Sequence, residues 1–447
     1  MRFLSQIFQP IITIPKGAKI KSTEITCKSQ KLLLECGLVR PTSSGLFTVL
    51  PLARRAITKL ENIIHSCLEE VGGQRLSLPC VTSAALWERS GRLGDIGPEL
   101  VKVEDRHGKK YLLAPTHEEA IADLLADVGP LSYKQLPFIL YQIGNKYRDE
   151  HRPKHGLLRA REFSMLDAYS IHSSDECATN TYSIVSEAYR KIFRSLDLPV
   201  HRVQAPTGEM GGSLSHEWQL PAAAGEDALA VCASCSHTAL ANQSRTCEKC
   251  GRGTDVVNSI EVGHTFVLGT RYSEPLHANF IAQNSSSVPL HMGCYGIGVT
   301  RLISASIESL SSDKSIRWPK AIAPYAAVVI GPKEGSKEWI GHGFDKVQSI
   351  ARQIEQNGGR DDVIIDDRHS LTIGKRLMMA DRMGYPYIIV CGRSALETPP
   401  RYELYRSAGG EAPRAPQILD IHELLATLHE QTKNKINVEY SEKCVVK

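Results

Sequence analysis

The 447-residue chain has no stretch approaching ~18 consecutive apolar residues, which excludes a transmembrane helix. It has no internal repeat and no low-complexity tract, so repeat arrays and fibrous folds are excluded too. Net charge is nearly absent: 53 Lys and Arg against 49 Asp and Glu leave +4, too little to announce a nucleic-acid partner by itself. Any such argument has to come from local clusters. There is no cysteine framework either. Of twelve cysteines, Cys232, Cys235, Cys247 and Cys250 form two close pairs and the other eight are scattered, a usage that suits a reducing compartment. With 42% hydrophobic and 23% charged residues the chain reads as globular, and at ~150 residues per domain it holds about three folding units.

Acidic residues are missing from the start: none precedes Glu24, while Arg2, Lys16, Lys19 and Lys21 are basic. Phe3, Leu4, Ile7, Phe8 and Ile11 recur at helical spacing, with Pro10 set to end that helix early. A secretory apolar core of the usual kind is absent. A basic, acid-free, amphipathic start predicts a mitochondrial transit peptide over residues 1–24; the competing reading is a frayed basic terminus.

From Leu52 to Val71, Leu52, Ala56, Leu60, Ile63, Ile64, Cys67 and Leu68 fall on one stripe, predicting a helix that Gly72-Gly73 ends. Residues 138–150 and 157–167 read as strands joined by a polar loop, hence an antiparallel pair. Residues 183–196 read as a helix, and 225–258 as a short polar segment carrying the paired cysteines. After Pro324, short apolar strands at 326–330, 363–366 and 387–390 alternate with helical stretches at 340–354 and 371–382. That rhythm predicts a separate α/β unit with a mixed sheet. The polar end, 431–447, reads as a loose tail.

Chemistry concentrates in residues 145–161. Lys146, Arg148, Arg152, Lys154, Arg159 and Arg161 stand there against Asp149 and Glu150, with His151 and His155 added. On strands, residues two apart share a face, so Arg148 would point with Glu150, and Arg159 and Arg161 with Phe163. If those faces coincide, they offer cations for phosphates, a carboxylate for an amino group and a ring to stack a base. That would be an ATP site without a Gly-rich loop; the competing reading is a solvated basic hairpin. A second candidate, residues 292–301, sets Gly296 and Gly298 before a helix with Arg301 at its start. It is not a dinucleotide fingerprint, and an arginine there opposes the helix dipole, so a ligand explains it better than local stability. In a third, Thr116 and Glu118 are spaced to bind an ammonium group, although Thr116 with Glu119 also reads as a helix capping box.

Together these strings resemble the class II aminoacyl-tRNA synthetases, and within them the prolyl type of bacteria and mitochondria. The matching strings are Leu-Ala-Pro-Thr-His-Glu-Glu at 113–119, the long basic run at 147–169, Gly-Gly-Ser-Leu-Ser-His-Glu at 211–217, Ile-Glu-Val-Gly-His at 260–264 and the run at 292–301. The likeness extends from about Lys28 to about His429, and the string at 147–169 is highly specific.

The resemblance implies an α+β fold: a catalytic core at 25–324, an antiparallel sheet flanked by helices, followed by an α/β anticodon-binding domain at 325–430. It implies ATP-dependent activation of L-proline and transfer to tRNA(Pro) in the mitochondrial matrix, with Mg2+ on the phosphates. Arg148 would hold the α-phosphate and the substrate carboxylate, Glu150 the adenine amino group, and Phe163 and Arg301 the two faces of adenine. Arg152 and His155 would meet the outer phosphates and the acceptor end. Thr116 and Glu118 would bind the proline nitrogen, with His216 near the ring; the role of His117, where serine is commoner, stays open. Asp367, Arg368 and Lys375, beside Asp366 and Arg376, are candidate tRNA contacts, a solvated helix start being the alternative. A homodimer is implied, with Leu52–Gly73 and Pro79 near its interface, and no membrane partner.

Two departures from the family pattern stand out. Many bacterial relatives carry a large editing insertion between the 211–217 and 260–264 strings; here the gap, 218–259, is only 42 residues. No hydrolysis of mischarged alanyl-tRNA in cis is expected. That remnant holds Cys232-x2-Cys235 and Cys247-x2-Cys250, spaced for a structural Zn2+, with His237 as a spare ligand and free thiols as the alternative. Rival functions are a sister synthetase, such as the threonyl enzyme, and a non-catalytic paralogue that binds nucleic acid. Retention of Arg148, Glu150, Phe163 and Arg301 argues against the second.

Overall fold

The two strands of the basic hairpin, Phe138–Tyr147 and Glu162–His172, pair antiparallel from Glu162↔Tyr147 to Ile171↔Phe138. The structure is a computed structural model that describes residues 2–11, 24–95, 99–241, 245–357, 361–407 and 415–433. It divides into two units. One comprises Glu61–Ala305 with Ser43–Phe47; the other comprises the residues from Ser306 on, Thr48–Leu60 and those up to Thr42.

In the first unit nine described strands make one sheet. Its main path runs His201–Gln204, Leu214–Pro221, Asp255–Gly269, His291–Gly298, Glu162–His172, Phe138–Tyr147, Gly73–Arg75. Neighbours are antiparallel except the last pair. The helix Asp175–Ser195 shuts one face. It begins earlier than its apolar spacing predicts because Ser174 caps it, the hydroxyl accepting from the Cys177 amide at 3.2 Å. Asp175 and Glu176 fill the first turn, where the dipole favours acids. Tyr182, Val185, Tyr189, Ile192 and Phe193 form its buried stripe, and the rings of Tyr189 and Phe193 lie 5.6 and 5.5 Å from that of Trp218 on the sheet. At ~1.5–3 kcal/mol per large side chain buried, this packing rather than helix propensity fixes the closed face.

In the second unit the strand order is Arg2–Phe3, Val363–Asp366, Ala327–Ile330, Tyr387–Val390, Tyr402–Arg406, Gln417–Leu419. The first four are parallel and the last two antiparallel, the mixed sheet that was expected. All residues of Ala327–Ile330, Val363–Asp366 and Tyr387–Val390 are buried, as in a parallel sheet covered on both faces, which is why they read as unbroken apolar runs. The helices Lys337–Gln356 and Ile373–Met383 are the predicted ones.

The amphipathic helix expected at the start is not formed in residues 2–11. Arg2 and Phe3 add a short parallel strand beside Ile364 and Ile365, and Leu4–Gln6 is a 3-10 turn with Leu4 buried. The sheet edge offers unpaired backbone groups, and that pairing overrides the spacing. Residues 12–23 of the expected transit segment and 434–447 of the expected tail lie outside the described residues. No described helix is long and apolar enough to cross a membrane.

Candidate functional site

Hairpin pairing stops at Tyr147 and Glu162, extended by one bond from the Arg148 amide to the Arg161 carbonyl (2.9 Å). Residues 148–161 are a loop in which His155 is left-handed (φ 58°) and Gly156–Leu158 makes a 3-10 turn. Arg148, Glu150, Arg159 and Arg161 therefore do not follow strand alternation, which corrects the expected longer strands. The ladder stops because the amides that would continue it are bonded elsewhere: Arg161 donates to the Gly45 carbonyl and Asp149 to that of Glu99, each at 2.8 Å.

A cavity of about 390 Å³ opens beside this loop, a volume usual for small-ligand sites. Arg148, Glu150 and Phe163 line it from the hairpin, Arg301 from the helix Val299–Leu310, and Thr116 and Glu118 from the start of the helix Glu118–Asp127. Strings far apart in sequence thus meet in one place. The Arg148 guanidinium lies 5.4 Å from the Phe163 ring centroid. Arg301 Nε donates to the Leu158 carbonyl (2.9 Å) and its NH1 to that of Glu261 (3.3 Å), which offsets the unfavourable helix dipole. Burial, then the Arg301 charge, lowers the proton affinity of Arg148. The lining also includes Glu99, Glu118, Glu150, Glu209 and Glu261, so the arginines are fixed cations set among carboxylates rather than a field of one sign.

Glu261 also lines the cavity. Burial would push its carboxyl up, but the bond from His264 (3.0 Å) and the charges of Arg301, His264 and Arg148 hold it below the usual range. Sequence reading had Glu261 and His264 only as letters of a matching string; nothing in their spacing gave them a role.

At the Thr116 end, the threonine hydroxyl donates to Glu118 Oε2 (2.6 Å) and the Cys294 thiol to Oε1 (3.0 Å). The capping box does not form: His117 is the N-cap residue, without a side-chain cap bond, because the Thr116 hydroxyl is committed to Glu118. Arg92 NH1 sits 3.4 Å from Glu118 Oε2 and 3.1 Å from Glu119 Oε1, with all three side chains buried. Burial raises the Glu119 carboxyl while Arg92 opposes it. Arg92 was missed in the sequence. The signal was there, since two successive acids at a buried helix start require a cation. His117 has a structural place. Its amide donates to the Tyr169 hydroxyl (2.9 Å), and Nε2, facing the Pro79 carbonyl (2.9 Å), is its donor nitrogen.

His216 is not among the residues lining the cavity. Its Nδ1 meets the Tyr182 hydroxyl at 2.8 Å, and burial pulls its pKa down to about 4. The strand period of two explains this: Ser215, whose hydroxyl meets His264 Nε2 at 2.6 Å, faces the cavity side, so His216 faces the covering helix. His264, on the neighbouring strand, is the histidine that lines the cavity. Arg152 is exposed, and His155 Nε2 lies 3.8 Å from Glu226 Oε1; neither lines the cavity.

In the second unit, both Asp367 oxygens accept from Ser5, from its amide (2.9 Å) and its hydroxyl. Arg368 is tied to Asp366 through Nε (2.8 Å) and NH2 (2.6 Å), and buried Arg376 donates to the Asp366 and Pro332 carbonyls. Lys375 is exposed. Of these, Arg376 holds the fold rather than facing a partner.

The four paired cysteines converge, their Sγ atoms all within 4.8 Å of one another. The two halves match: the Cys232 carbonyl accepts from the Ser236 amide and the Cys247 carbonyl from that of Gly251, each donor with positive φ (56° and 72°). His237 lies outside that group of four.

Residues 101–310 match the tRNA synthetase class II core domain (G, H, P, S and T), and 326–431 match the anticodon binding domain. The probable mitochondrial proline–tRNA ligase of Homo sapiens is 44% identical over 91% of this chain and 87% of the human one. A proline–tRNA ligase of Wolbachia sp. subsp. Brugia malayi is 37% identical over 88% and 92%. Among solved structures, Giardia lamblia prolyl-tRNA synthetase in complex with prolyl-adenylate superposes with a TM-score of 0.74 at 20% identity, covering 91% of this chain and 80% of that one.

Arg92→Ala leaves two buried carboxylates without their cation, and we expect a loss of about 3–5 kcal/mol in stability. Denaturant unfolding checks this; a loss below about 1 kcal/mol, the scale of an exposed pair, contradicts it.

Proposed function

The chain belongs to the family of proline–tRNA ligases, on the class II synthetase core, and we propose that it carries that activity in the mitochondrial matrix. L-Proline and ATP react to prolyl-adenylate and pyrophosphate, and proline then passes to the 3′ end of tRNA(Pro). The observation that carries this reading is the shared cavity of Arg148, Phe163 and Arg301 with the Thr116–Glu118 pair.

Both nucleophiles belong to substrates: the proline carboxylate attacks the α-phosphate, then a terminal ribose hydroxyl attacks the mixed anhydride. Catalysis then rests on positioning and on cations aimed at developing phosphate charge. Arg148 binds the α-phosphate and carboxylate, Phe163 and Arg301 flank adenine, and Glu150 accepts from its amino group. Glu118, oriented by Thr116, Cys294 and Arg92, accepts from the proline nitrogen. Arg152 and His155 serve the outer phosphates and the acceptor end. Carboxylate oxygen suits Mg2+, and Glu261 in the cavity wall would hold it; bound there, it would neutralise phosphate charge. We also assign residues 25–324 to catalysis, 325–430 to tRNA binding and 1–24 to targeting, and expect a homodimer. Of the three tRNA-contact candidates, Lys375 is the exposed one and the first to test, as a phosphate contact.

The four-cysteine cluster is proposed as a structural Zn2+ site. Zn–S bonds of ~2.3 Å give a tetrahedron with edges of about 3.8 Å. The Cys232–Cys250 and Cys235–Cys247 separations, 3.5 and 3.6 Å, fit it. The metal replaces a hydrophobic core that so small a segment cannot build. With no editing domain, discrimination against alanine rests on one cavity, where missing methylenes count for only ~1–3 kcal/mol.

Arg148→Ala should abolish proline-dependent pyrophosphate exchange; near-normal exchange would remove Arg148 from the site. Elemental analysis of the purified chain should find close to one zinc per chain, and a content far below one refutes the metal reading. Alanyl-tRNA(Pro) incubated with the enzyme should deacylate no faster than in buffer; measurable enzymatic deacylation contradicts the absence of editing.

A further inference from the structure

The loop at the nucleotide end is held by a carboxylate from outside the hairpin. Glu226 immediately precedes the strand Asp227–Val231, which leads straight into Cys232. Its Oε1 accepts from Lys154 Nζ at 2.8 Å and lies 3.8 Å from His155 Nε2, while Oε2 accepts from Arg159 NH1 at 2.8 Å. Arg159 is shared between two acids, since its Nε donates to Glu150 Oε2 at 2.8 Å. Burial would raise the Glu226 carboxyl, but the bonds and charges of Lys154 and Arg159 hold it below its ordinary range. The main chain fixes where Glu226 stands. A Cβ added to Gly225 would fall 2.1 Å from the Ser259 carbonyl oxygen, so glycine alone permits this approach, and Asp227 then pairs directly with Ser259. Lys154 and Arg159 face each other across the loop in an isolated bridge, so one carboxylate ties both of its arms.

We propose that Glu226 is a positioning residue for the nucleotide site. By holding NH1 of Arg159, it resists the rotation that would bring NH2 onto the second oxygen of Glu150 beside the bond Nε already makes, and so leaves that oxygen to accept from the amino group of adenine. A two-bond arginine–carboxylate fork is the stronger arrangement and would compete with the base. The loop is basic enough to need a resident anion, and Glu226 supplies it while the phosphates are away. This inference rests on the reading of the cavity as an ATP site.

The test is steady-state pyrophosphate exchange with the full chain, measuring KM for ATP and for proline separately. Glu226→Gln should raise KM for ATP about tenfold, the scale of one lost charge-assisted hydrogen bond, with kcat and the proline KM unchanged. Glu226→Asp, which keeps the charge, should restore KM for ATP to within about threefold of wild type. The side chains of Glu226, Lys154 and Arg159 are 39–44% exposed, so this change leaves the fold standing. In an Arg159→Ala background, Glu226→Gln should add nothing further. An unchanged KM for ATP in Glu226→Gln overturns the proposal, as does a fall in kcat alone. An equal rise with and without Arg159 also overturns it. Arg148→Ala run beside them separates the two failures: retained exchange there sinks the ATP-site reading itself, whereas lost exchange with a silent Glu226→Gln sinks the Glu226 proposal and leaves that reading in place.

Discussion

Two guanidiniums confined to one cavity are the constraint around which the first unit is arranged. Arg148 and Arg301 repel each other, and burial weakens the water that would screen them. The arrangement survives because each cation is held by fixed partners: the Phe163 face for Arg148, two carbonyls for Arg301, and the charge of Glu261 for both. Held in this way before any ligand is present, the donors need no reorganisation when one arrives. That is the physical content of preorganisation, and it suits a reaction whose charge develops on phosphorus rather than on a protein nucleophile.

The sheet makes this possible by being closed on one side only. The aromatic stripe of the helix Asp175–Ser195 seals one face with Trp218, leaving alternate residues of the same strands to face the cavity. At the amino-acid end, buried charges are balanced within the wall. Arg92 compensates Glu118 and Glu119, so that Glu118 can stay oriented without solvent. The four-cysteine segment attaches to the same sheet through Asp227–Val231 and sets Glu226 against the loop that the phosphates would meet. Structural and functional charges are thus interleaved, and most are arranged as shared groups rather than simple pairs.

Much of this was legible in the sequence, for identifiable reasons. The strands Ala327–Ile330, Val363–Asp366 and Tyr387–Val390 were readable because burial on both faces leaves an uninterrupted apolar run. Arg148, Glu150, Phe163, Arg301, Thr116 and Glu118 were readable because their strings are specific, and they do line one cavity. The loop at 148–161 was not, since charge clustering says nothing about where pairing stops. His216 was placed by its string, yet strand parity turned it away from the cavity and His264 toward it. Residues 2–11 carry helical spacing, but a free sheet edge recruits them, a tertiary effect that no local pattern reports. Arg92 and Glu226 act on residues 26 and 67 positions away, so their partners become visible only once the chain has folded.

The central claim is that one nucleotide is gripped between Arg148 and Arg301 over Phe163. A crystal structure of the chain with a non-hydrolysable prolyl-adenylate analogue tests it most directly. The account predicts adenine between Phe163 and Arg301, the phosphate mimic within hydrogen-bond reach of Arg148, and the proline nitrogen at Glu118. An analogue bound in that cavity with its base away from Phe163 and Arg301, or bound elsewhere on the chain, would contradict it.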